Sequence, residues 1–149
     1  MKKRTFLFLL ALCSMVFSAG CSFPRVIILK DPLTAEEHLN LGVTYEQQGD
    51  LDNAIKEYDL AAKKLPAAFL YLGNAYFQKK EWKKAEDYYR LAIEKDPENA
   101  DAHNNLAWLY YTRREKLAEA EGLARKALEL NPGKGDIYRD TLEKIREIR

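Results

Sequence analysis

Long apolar runs, an excess of charge of one sign and catalytic motifs are all missing from this chain of 149 residues. Its mean hydropathy of −0.46 excludes a polytopic membrane protein. It carries 24 Lys and Arg against 23 Asp and Glu, so it lacks the basic surplus of a nucleic-acid-binding protein. No Ser or Cys nucleophile stands beside a histidine and no glycine-rich phosphate loop is visible, so we expect no enzymatic activity. One compact domain is expected at this length.

The amino terminus has the order of a secretory signal. Residues 2–4 are basic, residues 5–17 carry no charge, and the small residues Ser-Ala-Gly then precede Cys21. The uncharged run is too short for a membrane-spanning helix, which takes about 20 apolar residues. Residues 1–20 are therefore predicted to be a signal peptide. Cys13 is removed with this segment, which leaves Cys21 without a disulfide partner.

The end of this segment resembles the lipobox of bacterial lipoproteins, in which the cysteine is diacylated and the signal is cut before it. The match departs at Ser18, where a lipobox usually carries an aliphatic residue. The resemblance implies that residues 21–33 are a linker anchored in a lipid bilayer through acylated Cys21. Because Ser22 is not the Asp that retains lipoproteins at the inner membrane, it implies the periplasmic face of the outer membrane in a Gram-negative source, and otherwise the outer face of the cell membrane. The alternative is a plain secreted protein with a free thiol or an uncleaved anchor.

A repeat dominates the rest of the sequence. A set of Leu, Gly, Tyr, Ala and Pro positions returns after 31 residues and then a third time, with Ala107 in place of Gly and Ala124 in place of Tyr. This pattern resembles the tetratricopeptide repeat, a helix-turn-helix of 34 residues. The recurring positions are Leu41, Gly42, Tyr45, Ala54, Tyr58, Ala61 and Pro66; Leu72, Gly73, Tyr76, Ala85, Tyr89, Ala92 and Pro97; and Leu106, Ala107, Tyr110, Ala120, Ala124, Ala127 and Pro132.

The resemblance implies an all-α fold, an α-solenoid of three helical hairpins closed by a carboxy-terminal capping helix. Such a cap covers the last apolar face of the stack. The third repeat is one residue longer than the others between Tyr110 and Ala120, so its helices are expected to pack differently. The predicted repeats span residues 34–66, 67–97 and 98–132, and the predicted capping helix spans residues 133–149.

Local signals agree with helical hairpins. Thr34 and Glu37 form a capping box that opens the first helix. Gly49 suits the left-handed residue that ends this helix, and Asp50 can cap the next one. The first repeat is three residues short, and we place the shortening in the loop after Pro66.

Two further features of the sequence could indicate a metal site or a docking site. His38 and His103 hold equivalent positions two repeats apart, which separates them by about 20 Å and prevents them from sharing a metal ion. We therefore expect no metal and no cofactor. Residues 26–29 are four consecutive aliphatic residues in the linker. They either pack on the first hairpin as a cap or support self-association and partner docking.

Tetratricopeptide arrays hold peptides or partner proteins, so the resemblance implies a membrane-anchored interaction scaffold or adaptor of the bacterial cell envelope. Two alternatives stay open. A binder of carbohydrate or peptidoglycan fragments would use Tyr71, Trp108 and Tyr111 as stacking platforms. A structural subunit would have its groove filled by residues 26–29 of its own chain or of a neighbour, and a homo-oligomer fits an array so near the minimum number of repeats.

The family binds partners along the first helix of each hairpin. Carried over position by position, the groove-facing residues are Leu39, Val43 and Glu46, then Leu70, Asn74 and Phe77, then Asn104, Trp108 and Tyr111. None of them is basic, so the Lys and Arg clamp with which chaperone-binding members hold a terminal carboxylate is not expected. We expect an extended or helical apolar peptide with Trp108 as its main anchor. Alternatively, Trp108 fills the hairpin that Ala124 leaves loose.

We predict that Cys21 is acylated and is the first residue of the mature chain. Mass spectrometry of the membrane fraction measures this directly, and Cys21→Ser should release the protein or block its maturation. An intact Met1 amino terminus, or an unmodified Cys21 in a protein free of membranes, would contradict the prediction.

Overall fold

The computed structural model describes residues 31–149, and the signal segment, Cys21 and the aliphatic run at 26–29 lie outside them. The described part folds into seven α-helices and contains no strand, which confirms the predicted all-α architecture. A short 3-10 turn, Pro132–Lys134, leads into the last helix. The helices are α1 (Ala35–Gln47), α2 (Leu51–Ala62), α3 (Ala68–Gln78), α4 (Trp82–Lys95), α5 (Ala100–Arg113), α6 (Leu117–Leu130) and α7 (Gly135–Ile148).

The helices pack in the order in which they follow one another. α1 packs against α2, α3 against α4 and α5 against α6, which makes three hairpins. α3 also packs on α2 and α5 on α4, so the hairpins stack side by side. α7 packs on α5 and α6 and covers the end of the stack, as expected for the capping helix.

A glycine facing a tyrosine closes each of the first two hairpins. Gly42 of α1 lies against the Tyr58 ring of α2, and Gly73 of α3 lies against the Tyr89 ring of α4. Both tyrosines are buried. A Cβ atom at either glycine would overlap the ring, so only glycine lets the helix backbone approach the ring this closely.

The third hairpin has two alanines at the equivalent helix crossing. Ala107 of α5 and Ala124 of α6 are fully buried and take the places of the glycine and the tyrosine. Both belong to a hydrophobic cluster that also contains Leu142 and Ile145 of α7. The capping helix therefore supplies apolar volume to a hairpin that lacks its tyrosine.

The predicted helix ends are present at the first hairpin. The Thr34 hydroxyl accepts a hydrogen bond from the Glu37 amide at 3.2 Å, and the Glu37 carboxylate accepts one from the Thr34 amide at 2.7 Å. Gly49 has a φ of +79°, the left-handed conformation that ends α1. Asp50 caps α2 by accepting a hydrogen bond from the Asn53 amide at 3.2 Å.

The other two hairpins make the same left-handed turn without glycine. Lys80 has a φ of 59° and Arg114 a φ of 53°, each four residues after the tyrosine of its repeat, as Gly49 is. The extra residue of the third repeat is absorbed directly afterwards, where Lys116 is left-handed as well, with a φ of 48°. Its side chain then reaches back to α4, where its ammonium group donates to Glu86 at 2.6 Å.

The shortening of the first repeat is divided between the loop after Pro66 and the start of α3, so the prediction that places all of it in the loop is only partly right. α3 begins two residues after Pro66 and α5 begins three residues after Pro97, so one of the three missing residues is lost from the loop and two are lost from the helix. Ala67 provides no capping side chain for α3, whereas the Asn99 side chain accepts a hydrogen bond from the Ala102 amide at 2.9 Å to start α5. α3 thus begins four residues before its Leu-Gly pair, and α5 begins six residues before its Leu-Ala pair.

A buried carboxylate joins the second and third hairpins. Glu86 of α4 is 7% exposed, and one of its oxygens accepts hydrogen bonds from Tyr110 at 2.8 Å and from Lys116 at 2.6 Å. Arg90 donates to the same oxygen at 3.2 Å. Burial raises the pKa of Glu86, but the hydrogen bonds from Lys116, Tyr110 and Arg90 outweigh burial and lower the pKa to about 2.

We predict opposite effects of Gly→Ala substitution at two helical glycines. Gly73→Ala should lower the free energy of unfolding by about 1 to 3 kcal/mol, because the new methyl group overlaps the Tyr89 ring. Gly122→Ala on α6 should raise it by about 0.5 to 1 kcal/mol, since Gly122 is exposed and a Cβ there meets open space. Urea unfolding of the full chain measures both.

A second comparison tests whether the Tyr89 ring causes the lower free energy of unfolding of Gly73→Ala. Gly73→Ala should cost much less in a Tyr89→Ala background, which reproduces the Ala107 and Ala124 pair of the third hairpin. An equal cost in both backgrounds would show that the Tyr89 ring is not what excludes the methyl group.

Candidate functional site

The first helices of the three hairpins share a pocket of about 320 Å³ on one face of the stack. Four of the nine predicted groove residues line this central pocket, and they come from α1, α3 and α5. Three residues that the sequence analysis did not assign to the groove complete it. The lining consists of the predicted Glu46, Asn74, Phe77 and Trp108, together with Gln78, Tyr89 and Asn105.

The amide of Asn74 is held in one orientation at the centre of this pocket. Its oxygen accepts hydrogen bonds from the Tyr89 hydroxyl at 3.0 Å and from the Asn105 amide nitrogen at 2.9 Å. With its oxygen facing these two donors, the NH₂ group of Asn74 lies on the other side. Within residues 31–149 no group accepts a hydrogen bond from that NH₂. The Asn74 side chain therefore keeps two donors for a ligand.

Glu46 places a carboxylate at the α1 side of the pocket. One oxygen accepts a hydrogen bond from the Tyr58 hydroxyl and the other from the Gln78 amide. Burial, with the nearby Glu46 carboxylate as a second cause, raises the pKa of both Tyr58 and Tyr89, so these hydroxyls stay protonated. No Lys, Arg or His of the described residues forms an ion pair with Glu46.

A second pocket of about 490 Å³ lies between α5 and the capping helix. Trp108 lines both pockets, and its ring centroid is 5.0 Å from that of Tyr111. The Lys144 ammonium lies 5.2 Å from the centre of the Trp108 ring and also pairs with Asp140 at 2.6 Å. This α5–α7 pocket is lined by Trp108, Tyr111, Thr112, Arg114, Lys144 and Ile148.

The other predicted groove residues lie in or against the core. Leu39 and Val43 pack on the buried cluster of the first hairpin, and Leu70 packs on the cluster around the third. Asn104 is only 7% exposed, and its side-chain oxygen has no hydrogen-bond partner in the described structure. Trp108 is not among the side chains packed on the cluster that contains Ala124.

A carboxylate on α6 fastens the capping helix. Glu121 is 6% exposed, accepts a hydrogen bond from Arg146 of α7 at 3.0 Å, and bonds Arg149 at the end of the chain. Arg125 of α6 adds a third cation. Arg146 and Arg149 are the main cause that lowers the pKa of Glu121 to about 2. Because α7 carries Lys144, this ion cluster also fixes one wall of the α5–α7 pocket.

The two histidines have separate local partners. His38 bonds the Glu57 carboxylate at 2.7 Å, and His103 bonds the Pro97 carbonyl at 3.0 Å. Within residues 31–149, no group of three or more His, Cys, Asp or Glu side chains is arranged to hold a metal ion. None of the helices of that region is long and apolar enough to cross a bilayer.

The fold and its groove define the class of the protein, a stack of helical hairpins with an open binding face. Family models described as tetratricopeptide repeat match residues 35–68 and 100–131, and one described as TPR repeat matches residues 73–113. The chain belongs to the tetratricopeptide repeat family.

Curated relatives share this region alone. Human protein O-mannosyl-transferase TMTC2 is 33% identical over 118 residues, and human tetratricopeptide repeat protein 6 is 38% identical over 74 residues. These matches cover 72% and 48% of this chain but only 14% of each human protein. The chain therefore spans a small fraction of the length of these relatives.

Solved structures of similar fold cover nearly the whole described region. The first TPR domain of human RPAP3 has a TM-score of 0.72 at 26% identity, covering 79% of this chain and 94% of that domain. The first TPR of Spaghetti (RPAP3), bound to the HSP90 peptide SRMEEVD, has a TM-score of 0.71 at 26% identity. That match covers 80% of this chain and 96% of the solved one.

We predict that the capping helix loosens in acid. The pKa of Glu121 in the fold lies below its ordinary value of 4.5, so its stabilising effect is complete above about pH 5 and is lost as the pH falls towards 2. The difference in melting temperature between the wild type and Glu121→Gln should therefore be largest near neutral pH and vanish near pH 2. Exposed Glu143 of α7 supplies the charge-matched control, Glu143→Gln. A difference for Glu121→Gln that stays constant with pH would contradict the prediction.

Proposed function

We propose that this protein is a lipid-anchored scaffold or adaptor of the bacterial cell envelope, which binds an apolar peptide or partner protein in its concave groove. The observation that carries this proposal is the central pocket, where the two donors of Asn74 border a space walled by Phe77 and Trp108. The anchor and the envelope location rest on the export signal, Cys21 and Ser22.

The pocket can contact both the backbone and the apolar side chains of a peptide. A peptide carbonyl can accept a hydrogen bond from the Asn74 amide, which gives affinity that does not depend on side chains. Apolar side chains of the same peptide can bury area against Phe77 and Trp108, at about 25 cal/mol per Å². Because Tyr89 and Asn105 already orient Asn74, little ordering of the pocket is needed when a peptide binds.

A solved relative binds an acidic peptide, whereas the central pocket of this chain suits a peptide of a different charge. The peptide bound to the first TPR of Spaghetti, SRMEEVD, has three acidic residues. Within the described part of the chain, the lining of the central pocket contains the Glu46 carboxylate and no basic side chain. Like charges repel, so a strongly acidic peptide does not suit this pocket.

We infer a binding role without catalysis. The transferase named among the relatives is a much longer protein, of which the matched part is 14%. The relatives whose whole length matches are domains that bind peptides or consist of TPR helices. The groove of this chain joins amides, aromatic rings and one carboxylate, a set suited to holding a ligand.

The carbohydrate alternative has weaker support. Tyr71 lies with its ring centroid 5.4 Å from that of Tyr58, on the cluster of the first hairpin. Trp108 and Tyr111 contact each other in the third repeat, so the three aromatic residues do not form one platform. The structural-subunit alternative depends on residues 26–29, which lie outside the described residues.

We predict that Trp108→Ala and Asn74→Ala weaken peptide binding at least about tenfold, as expected for residues at the centre of an interface. Peptides are first selected from a display library on the full chain purified in detergent. Their dissociation constants for each variant are then measured by fluorescence anisotropy.

Asn40→Ala is the matched control, because Asn40 is an exposed asparagine of α1 that lines neither pocket. Melting temperatures of all variants separate lost binding from lost folding. Unchanged affinity in both pocket variants, or an unfolded Trp108→Ala protein, would refute the assignment of this groove.

A further inference from the structure

Among the residues that the structure describes, Glu46 is the one charged side chain that lines the central pocket. It is half-buried, and its two oxygens accept hydrogen bonds from two neutral donors, Tyr58 and Gln78. A carboxylate offers about four lone-pair sites, so both oxygens can accept further hydrogen bonds. The pocket therefore holds a negative charge that the described residues do not neutralise.

We propose that the central pocket binds a Lys or Arg side chain of the peptide ligand, with the cationic head on Glu46. This inference rests on the proposed function and names the residue type that the groove selects. An ammonium or guanidinium group would donate to the free lone pairs of Glu46, and such charge-assisted bonds are stronger than neutral ones. The aliphatic stem would lie along the ring of Phe77 or Trp108, as amphipathic side chains do on apolar surfaces.

The geometry around Glu46 favours a cation over water or a neutral group. Trp108 and Phe77 present aromatic rings to the same pocket, and an aromatic face attracts a cation most strongly when both lose water. Tyr58 and Gln78 hold the carboxylate in place, so it is oriented before a ligand arrives. A preoriented carboxylate loses less entropy on binding.

The other end of the groove carries an unpaired cation. Arg114 lines the α5–α7 pocket, which shares Trp108 with the central pocket, and it forms no ion pair among residues 31–149, whereas Lys144 of the same pocket is paired with Asp140. A basic side chain is repelled from that end and attracted to the α1 end. The charges thus set the direction in which a peptide lies along the groove.

The test compares peptide selection on four versions of the full chain in detergent, the wild type, Glu46→Gln, Glu36→Gln and Trp108→Ala. Glu36 is an exposed carboxylate on the same helix as Glu46 and lines neither pocket, so Glu36→Gln changes the net charge equally. We expect the wild type and Glu36→Gln to select peptides with Lys or Arg at a fixed position, and Glu46→Gln to lose that preference.

A double-mutant cycle then locates the contact. Replacing the selected Lys or Arg of the peptide by Gln should weaken binding to the wild type about tenfold, the range for a hydrogen bond to a charged group. The same replacement should change binding to Glu46→Gln by less than about twofold.

Failure of the inference about Glu46 can be distinguished from failure of the proposed function. If selected peptides need Trp108 but show no basic preference, or keep it on Glu46→Gln, the inference about Glu46 is wrong while the proposed function stands. If no peptide is enriched, or if the enriched peptides bind Trp108→Ala equally well, the proposed function is wrong and this inference with it.

Discussion

The contact between a glycine and a tyrosine ring at the helix crossing determines both the packing and the groove of this protein. At Gly42 and Gly73 the absence of a side chain lets the ring of the next helix reach across the hairpin. The hydroxyl groups of these two rings then emerge on the groove side, where Tyr58 donates to Glu46 and Tyr89 donates to Asn74. One packing contact thus orients a polar groove residue in each of the first two repeats.

The third repeat shows what happens without that contact. Ala124 has no hydroxyl group that could reach the groove. Trp108 holds the groove position of this repeat, and its ring lies against Tyr111 and beneath the Lys144 ammonium. The lost aromatic volume is replaced by apolar residues of α7, which makes the capping helix part of the third hairpin. The Glu121 ion cluster that holds α7 is therefore also a determinant of the groove, through the position of Lys144.

The sequence predicts what depends on local spacing and misses what depends on contacts between distant residues. The hairpins, the capping box at Thr34 and the turn at Gly49 follow from residue types at short intervals. Lys80 and Arg114 adopt the same left-handed conformation, but Lys and Arg are not residue types that predict a positive φ. Gln78 and Asn105 join the pocket through partners that are 32 and 31 residues away, Glu46 and Asn74, which no helical periodicity links. Four groove residues were predictable because the family position fixes the helix face, whereas their hydrogen-bond network was not.

Three carboxylates that lie between helices of the stack differ in the groups that they bond. Glu86 and Glu121 each bond several cationic side chains, which is why the pKa of each is lowered to about 2 and why each joins two structural elements. Among residues 31–149, Glu46 accepts hydrogen bonds only from the neutral groups of Tyr58 and Gln78, and it is half-buried. Removing a carboxylate from water without a cation costs free energy, and a fold under selection for stability alone gains nothing from that cost. The positive charge of the proposed ligand would recover that cost, which distinguishes Glu46, in the lining of the central pocket, from Glu86 and Glu121, whose cations belong to the fold itself.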